Sequence, residues 1–371
     1  MIETGHELSL ILENIIEELS ITETMQNKAI SGYTAVGNWL TDDLKKDIYI
    51  YPQGSMALGT IIRPISDKDE YDIDLVCLIK DGSGLEAKEI KQLIGNSLKN
   101  NGRYNHMLQK EGKRCWTLSY DEFHMDILPA VPGDTRNSNI RITHTEDGKV
   151  YLNKYSNPVK YRKWFLQQML KGQVSEMFSI EARSEIEKVP IYNQIGNLQK
   201  IVKLLKRHRD IIFEGADHKP ISIIITTLAA KAYKGNLLLY DELKNILMYM
   251  ESFIERIDGT YIIRNPVEYN ENFAEKWNSN SSHATQFFSW IQYAKSDFLN
   301  IKAGLDEVAE LWGKSLGESL VNRAVKKYAL GYRNARQDGK LHVNANTGLC
   351  IGTTTIASTK VKAHTFFGAE E

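Results

Sequence analysis

The chain has 371 residues, a formal net charge of −1, 42% hydrophobic residues and 25% charged residues. This ordinary globular composition allows two substantial domains, and the near-neutral charge argues against a protein that depends on general attraction to phosphate backbones. Its three cysteines, Cys77, Cys115 and Cys350, are far apart and form no Cys-x-x-Cys pair, which argues against a disulfide framework and a zinc ribbon.

The first elements in chain order are two predicted helices, residues 8–19 and residues 32–44, which we expect to brace the strands that follow. Residues 1–7 show no basic stretch leading into an apolar segment. The longest apolar run, residues 221–230, is far shorter than a membrane span. We therefore expect a cytoplasmic protein without membrane contact.

A strand is predicted at residues 48–51, with Pro52 ending it and a short helix following at residues 56–58. Between them lie Gln53, Gly54 and Ser55. Backbone N–H groups at such a turn, together with the serine hydroxyl, can bind phosphate oxygens. These three residues are therefore candidate nucleotide-binding residues.

Residues 71–78 alternate as a strand, so Asp72 and Asp74 share one face while apolar side chains occupy the other. Paired carboxylates on a rigid element are typical ligands of Mg²⁺, which keeps substrate phosphates in its coordination shell. Asp67 and Asp69 form a rival pair, but Pro64, Ser66 and Lys68 around them indicate a loop rather than a strand.

A third carboxylate, Asp126, lies in the predicted strand 122–128, opposite the apolar face of that strand. An acid in a core strand is costly to bury without a partner. The simplest partner is a metal shared with Asp72 and Asp74, so the three aspartates are predicted to be both catalytic residues and metal ligands. A metal site beside a phosphate-binding turn favours nucleotidyl transfer.

The remaining elements favour an α+β fold, with a mixed-sheet catalytic core first and helices afterwards. A helix is predicted at residues 86–99, a strand at residues 114–120, and a loop or edge strand at residues 137–148; helical patterns dominate from residue 159 to about residue 330. We divide the chain into a helical brace and catalytic core (1–195), a helical domain that closes the cleft (196–335) and a flexible or extended tail (336–371).

The pattern Gly54-Ser55, Asp72-x-Asp74 and Asp126 resembles the nucleotidyltransferase superfamily. Further segments are similar to the bacterial CD-NTases, which make oligonucleotide second messengers in anti-phage (CBASS) operons. The likeness runs from about residue 49 to about residue 277. The segments that carry it are QGSMALGTIIRPISDKDEYDIDLVCLI, HMDILPAVP, SNPVKYRKWF, IVKLLKRHRD and PISIIITTLAAKAY.

The resemblance implies a polymerase beta-like core with an oligoadenylate synthase-like helical domain. It also implies that Lys203 and Ser222 contact the donor triphosphate. By spacing alone, the helix around Lys203 has an apolar stripe and a separate basic face, which is usually only solvated. His208 lies on the apolar side and is expected to be a core residue. The segment 265–273 resembles one that lies near the nucleotide cleft in relatives, although a loop and helix cap explain it equally well.

The function that follows is a cyclic di- or trinucleotide synthase using ATP and/or GTP, with two Mg²⁺ ions, replaceable by Mn²⁺, and with pyrophosphate release. Operon-encoded effector or regulator proteins, including ubiquitin-like conjugation at the C-terminus, are implied partners, and no nucleic acid is required. The alternatives are a linear template-independent polymerase, an inactive nucleic-acid-sensing module, and a small-substrate transferase, which the long helical half disfavours.

Overall fold

The structure is a computed structural model that describes residues 5–66, 70–133, 139–171, 195–235, 237–301, 304–344, 348–351 and 358–361. The predicted rival pair Asp67 and Asp69 and the tail residues 366–371 lie outside these ranges.

The described elements fall into two groups. The first half contains, in chain order, α1 (Gly5–Leu19), α2 (Glu23–Leu44), β1 (Ile48–Gln53), α3 (Gly54–Leu58), β2 (Tyr71–Ile79), α4 (Ala87–Asn100), α5 (Gly102–Met107), β3 (Trp116–Ser119), β4 (Phe123–Pro132), β5 (Ile140–His144), β6 (Leu152–Ser156) and α6 (Pro158–Met169). The second half contains α7 (Asn197–Ile212), α8 (Ser222–Ala232), α9 (Leu239–Tyr249), a 3₁₀ turn (Met250–Phe253), β7 (Glu255–Ile257), β8 (Thr260–Ile262), β9 (Arg264–Asn265), β10 (Glu268–Asn272), α10 (Glu275–Ser279), α11 (Ser282–Leu299), α12 (Leu305–Leu316), α13 (Glu318–Gln337), β11 (Leu341–Asn344), β12 (Gly348–Ile351) and β13 (Ser358–Lys360).

A mixed six-stranded sheet organises the first half, in the order β1-β2-β4-β5-β6, with β3 pairing with β4. β2 and β4 run parallel, whereas the other pairs are antiparallel. The strand β1 continues through Pro52 to Gln53, further than predicted. Proline is tolerated there because β1 is an edge strand, where its missing N–H leaves no interior ladder bond unmade.

One face of this sheet packs on α2 and α4 in a core that we call the sheet core. It contains Ile73, Leu75 and Cys77 from β2 and Met125 and Ile127 from β4, all of them fully buried. These are the apolar faces that period-two alternation predicts. The opposite faces of the two strands are therefore available for the polar site.

A second core, the helical core, is formed mainly by α7, α8, α9 and α11 to α13, and it also includes side chains of α6. The helix α1 joins this core through Ile11, Leu12 and Ile15 instead of bracing the sheet, so only α2 acts as the expected brace. A mixed sheet followed by a helical unit is the α+β arrangement that the sequence predicts.

The second half also contains strands that the helical pattern did not predict. β7 and β8 pair as one short ribbon, and β9 and β10 pair as another. Part of the tail forms an antiparallel three-stranded sheet with β11 at its centre. These strands are short, so they carry little hydrophobic periodicity. None of the described helices is long and apolar enough to span a membrane.

Candidate active site

The three predicted catalytic aspartates lie at the centre of the sheet. In the parallel pairing of β2 with β4, Asp74 lies directly opposite Asp126, and Asp72 comes two residues earlier on the same face. On the other side of β2, Asp74 pairs with Gln53, the last residue of β1. Thr117 of β3 lies opposite Asp126 and donates a hydrogen bond to its Oδ1 atom. Strand pairing thus brings the three acids together.

The electrostatics of the cluster show that its negative charge is poorly compensated. Burial raises the pKa of Asp74 to about 7, and the neighbouring carboxylates of Asp126 and Asp72 contribute, while Lys206 opposes the rise. Burial and Asp126 also raise the pKa of Asp72, against the opposing charges of His124, Lys206 and Lys219. Carboxylates that repel one another in this way favour the binding of a cation.

The turn at Gly54 approaches the cluster closely. Gly54 begins α3 with a φ of +57°, and a Cβ atom there would lie 2.2 Å from Asp74 Oδ2. Only glycine accommodates both the left-handed backbone and this approach. Ser55, the next residue, is half-buried and lines the same pocket as Asp72 and Asp74. The predicted phosphate-binding turn and the predicted carboxylates therefore share one site.

Cationic side chains from the helical half form the opposite wall of this pocket, which has a volume of about 390 Å³ and which we call the cation-lined pocket. Lys206 of α7 is buried there, and its Nζ atom donates to the carbonyl of Thr60 at 3.0 Å. Burial lowers the pKa of Lys206 to about 8, with Arg209 contributing and the aspartates opposing. The predicted Ser222 lies in the same pocket, where Arg209 Nη1 donates to its Oγ atom at 2.7 Å.

The structure does not bring Lys203 into the cation-lined pocket. Lys203 Nζ donates to Ser20 Oγ at 3.0 Å, in a separate pocket bordered by α1 and α2. Lys206 lies one helical turn further along the same face of α7. The lysine of α7 that lines the pocket with Asp72 and Asp74 is Lys206, and a contact of Lys203 with the donor triphosphate stays a prediction. His208, in contrast, is fully buried against Trp290 in the helical core, as predicted.

A larger cavity of about 870 Å³ adjoins the aspartates on the other side. Its lining includes Gln53, Asp74 and Asp126 from the sheet half and Glu271 of β10 from the second half of the chain. The further polar residues that line this cavity include Arg114, Asn153, Asn157, Asn270 and Lys276. A cavity of this size is in the range of small-molecule sites. We call this space the large cavity. The cation-lined pocket and the large cavity meet at Asp74, which lines both.

The three aspartates, Asp72, Asp74 and Asp126, can be tested for their fit to the predicted magnesium ion. Among the residues that the structure describes, no three His, Cys, Asp or Glu side chains stand close enough together to form a ready-made metal site. The three aspartates nevertheless supply only oxygen donors, which Mg²⁺ prefers. The raised pKa values of Asp72 and Asp74 also show negative charge that a divalent cation would neutralise. On its donor chemistry and charge, the cluster fits such an ion.

Sequence patterns did not identify several residues of the site. Lys206 was visible only as part of a basic helical face, and its spacing of three from Lys203 was the available signal. Arg209 and Lys219 both donate to Asp210. Their place in the site became visible only from the packing of α7 against the start of α8. Glu271 lies in a short strand that no periodicity marked.

The sequence is similar to one protein family and to two cyclic dinucleotide synthases. Residues 7–168 match the Second Messenger Oligonucleotide or Dinucleotide Synthetase domain family (SMODS). Over 96% of both chains, the protein is 29% identical to a c-di-GMP synthase of Roseivirga ehrenbergii. It is 23% identical to the cyclic dinucleotide synthase CdnG of Bradyrhizobium diazoefficiens, over 97% of this chain and 94% of that relative.

Solved structures share the fold. The Bradyrhizobium diazoefficiens CD-NTase CdnG in complex with GTP superposes with a TM-score of 0.68 at 21% identity, covering 87% of this chain and 99% of that one. Vibrio cholerae DncV, a cyclic AMP-GMP synthase in complex with nonhydrolyzable GTP, gives 0.59 at 13% identity, with coverages of 83% and 94%. Through the SMODS match over residues 7–168, the relatives aligned along nearly its whole length and this shared fold, the chain is similar to the bacterial CD-NTases.

Proposed function

We propose that this protein joins two ribonucleoside triphosphates into a cyclic dinucleotide and releases pyrophosphate at each joining step. The observation that carries the proposal is the register that sets Asp74 opposite Asp126, beside the Gly54-Ser55 turn. Two relatives that match nearly the full chain are named as cyclic dinucleotide synthases of this kind.

The donor triphosphate is assigned to the cation-lined pocket. Lys206 donates to Thr60 through one N–H bond, so further ammonium hydrogens are available for phosphate oxygens. Ser55 and Ser222 both supply hydroxyl groups to this pocket. Arg209 holds the Ser222 hydroxyl and Asp210 together, and thereby orients this wall. Binding here places the α-phosphate beside the aspartates.

The chemical step is an in-line displacement. A ribose hydroxyl of the acceptor nucleotide attacks the donor α-phosphate; a new O–P bond forms, the bond to the β-phosphate oxygen breaks, and pyrophosphate leaves. Asp126 receives the hydroxyl proton. Thr117 holds Oδ1 of Asp126, so Oδ2 serves as the acceptor in this assignment. Most of the acceleration comes from positioning and from charge stabilisation. A second step within the same cleft closes the ring.

Asp72, Asp74 and Asp126 would hold two Mg²⁺ ions, or Mn²⁺ in their place. When bound, these ions neutralise the carboxylates and the phosphate charge and lower the pKa of a coordinated hydroxyl. Gln53 and Gly54 belong to the nucleotide-binding group, because they end β1 and begin α3 beside Asp74.

Guanine is the proposed base, on the ground that one relative is named a c-di-GMP synthase. Three points stay predictions: signalling in anti-phage defence, operon-encoded effectors or regulators, and C-terminal ubiquitin-like conjugation. A CdnC:HORMA complex of Escherichia coli is a structural precedent for a partner protein bound to a chain of this fold. The domain division at residues 195 and 335 also stays a prediction, with α1 assigned to the helical unit on the basis of its packing.

The test is to incubate the purified protein with each α-labelled ribonucleoside triphosphate and with their mixture, with Mg²⁺ and then Mn²⁺. The products are treated with phosphatase and separated. We expect a phosphatase-resistant product that the double variant Asp72→Asn/Asp74→Asn fails to make. A ladder of linear products would instead support the polymerase alternative. Absence of any product from folded wild-type protein would contradict the proposal.

A further inference from the structure

Several charged side chains that the proposed chemistry does not use line the large cavity, and Glu271 is one of them. Glu271 of β10 and Asp126 of β4 both line this cavity. Desolvation by burial raises the pKa of Glu271, and hydrogen bonds from Asn265 and Ser156, together with the charge of Arg114, oppose that rise. A carboxylate kept in a partly desolvated wall is costly unless it has a partner.

The orientation of the Glu271 carboxylate is determined by its neighbours. The buried Asn265 accepts a hydrogen bond from the backbone N–H of Val267 at 3.0 Å, which places its amide nitrogen toward Glu271. That nitrogen donates to Glu271 Oε2 at 2.8 Å, and Ser156 Oγ donates weakly to the same oxygen at 3.4 Å. Both hydrogen bonds that the structure gives to this carboxylate, within its described part, end on Oε2. Oε1 accepts neither of them, and because the bond from Ser156 is long, Oε2 also keeps accepting capacity for a ligand.

The next residue along β10, Asn272, has a different role. The side chain of Asn272 accepts from the backbone N–H groups of Ile263 and Ala274 and donates to the carbonyl of Tyr261. Asn272 thus holds the loop together, which is the structural role that the sequence left open for this segment. Glu271, its neighbour, directs a carboxylate at the cavity.

The chemistry of the wall matches one base better than the others. Guanine presents two adjacent donors, N1–H and N2–H, to which a carboxylate can accept side by side, and two acceptors, O6 and N7, which arginine recognises. Adenine presents a donor beside the lone pair of N1, so one carboxylate oxygen would face a like partial charge. Arg114 lies close enough to Glu271 to lower its pKa and lines the same cavity.

We propose that Glu271 is the specificity-determining residue of the large cavity and that it selects guanine by accepting from the N1–H and N2–H groups of the base. This inference rests on the proposed function and deepens it. Asn265 and Ser156 are positioning residues that hold the carboxylate, and Arg114 supplies the complementary donors. The carboxylate touches the base and takes no part in phosphoryl transfer, so its loss changes which nucleotide is accepted.

The experiment compares GTP, inosine triphosphate and ATP on the wild type, on Glu271→Gln and on Glu268→Gln. Inosine triphosphate keeps N1–H and O6 but lacks the 2-amino group. Equilibrium binding is measured without added divalent cation, so that no turnover occurs, and kcat/KM is measured with Mg²⁺. Glu268→Gln is the matched control, because Glu268 is a buried carboxylate of the same strand that accepts from Asn139 and does not line the cavity.

We expect the wild type and Glu268→Gln to prefer GTP over inosine triphosphate by about 10- to 100-fold, the value of a hydrogen bond to a charged group. In Glu271→Gln this preference should fall to about threefold or less, while ATP improves relative to GTP. Equal losses with all three nucleotides, or an unchanged preference, would overturn the assignment. Should Glu271→Gln fail to fold, Glu271→Asp keeps the charge, shortens the side chain and allows the same comparison. Equal binding of GTP and inosine triphosphate to the wild type refutes the inference without any variant.

The outcomes separate this inference from the proposed function. A guanine preference in binding that depends on Glu271, without any product, would preserve the inference and refute cyclic dinucleotide synthesis. A cyclic product whose base preference does not change in Glu271→Gln would support cyclic dinucleotide synthesis and refute the inference about Glu271.

Discussion

Replacing Asp74 with asparagine should make the metal-free protein more stable at pH 8 while it abolishes nucleotide joining. The pKa of Asp74 is raised from 3.8 to about 7 by burial and by two neighbouring carboxylates. An ionised Asp74 therefore costs folding free energy unless a cation is bound. An asparagine of nearly the same shape removes the charge and can donate a hydrogen bond to Asp126, which lies opposite it.

The magnitude follows from the pKa values. Each whole step in pKa corresponds to about 1.4 kcal/mol, so the gap between 3.8 and about 7 corresponds to roughly 4 kcal/mol. Imperfect hydrogen bonding of the new amide takes back about 1 kcal/mol. We therefore expect the free energy of unfolding at pH 8 to rise by about 3 kcal/mol.

The pH dependence has a definite sign. Because the folded pKa lies above the unfolded one, the folded state binds more protons between pH 4 and pH 7, and wild-type stability falls as the pH rises through this window. The loss is complete above about pH 7. At pH 4 or below the wild type and the variant should differ little, since Asp74 is then neutral in the folded protein as well.

The assay is guanidinium unfolding in EDTA at pH 4, pH 6 and pH 8, followed by circular dichroism. Asp297→Asn is the control, because Asp297 already has a partner in His208 at 3.0 Å, so this change should not stabilise the protein at pH 8. A variant at Asp74 that is no more stable than the wild type at pH 8, or a gain that does not change with pH, would refute the reasoning.

Three further predictions concern the same site. Gly54→Ala should abolish product formation, because the new Cβ atom would lie 2.2 Å from Asp74 Oδ2. The control Gly215→Ala has φ +69° and open space around it, so it should keep its activity and lose only about 1–2 kcal/mol of stability to backbone strain. Equal activity of the two variants would contradict this prediction. Lys206→Met should raise the KM for the nucleoside triphosphate about tenfold or more, because a charged hydrogen bond is lost. Lys203→Met should change this KM much less. Steady-state kinetics measure both, and a larger rise in KM for Lys203→Met than for Lys206→Met would place Lys203 at the triphosphate. Mg²⁺ at millimolar concentration should raise the wild-type melting temperature at pH 8 but not that of Asp74→Asn, and equal shifts would place the ion elsewhere.

Elements whose information is local could be predicted from the sequence. Period-two alternation identified the polar faces of β2 and β4, because the direction of successive side chains in a strand depends only on the backbone. The turn at Gly54 and Ser55 followed from residue type. The order of a mixed sheet before helices followed from the change of hydrophobic period. These predictions placed Asp72, Asp74 and Asp126 on strands, with their side chains on the faces that the structure shows.

Features that depend on contacts between distant segments could not be predicted from the sequence and required the fold. The parallel register that sets Asp74 opposite Asp126 joins strands about fifty residues apart, and no local pattern encodes it. The packing of α7 determined that Lys206, rather than Lys203, faces the aspartates, although both lie on one helical face. Glu271 became visible as part of the cavity only because β10 folds back against the sheet half. Long-range pairing and burial, which sequence periodicity does not contain, are the physical reason for each of these differences.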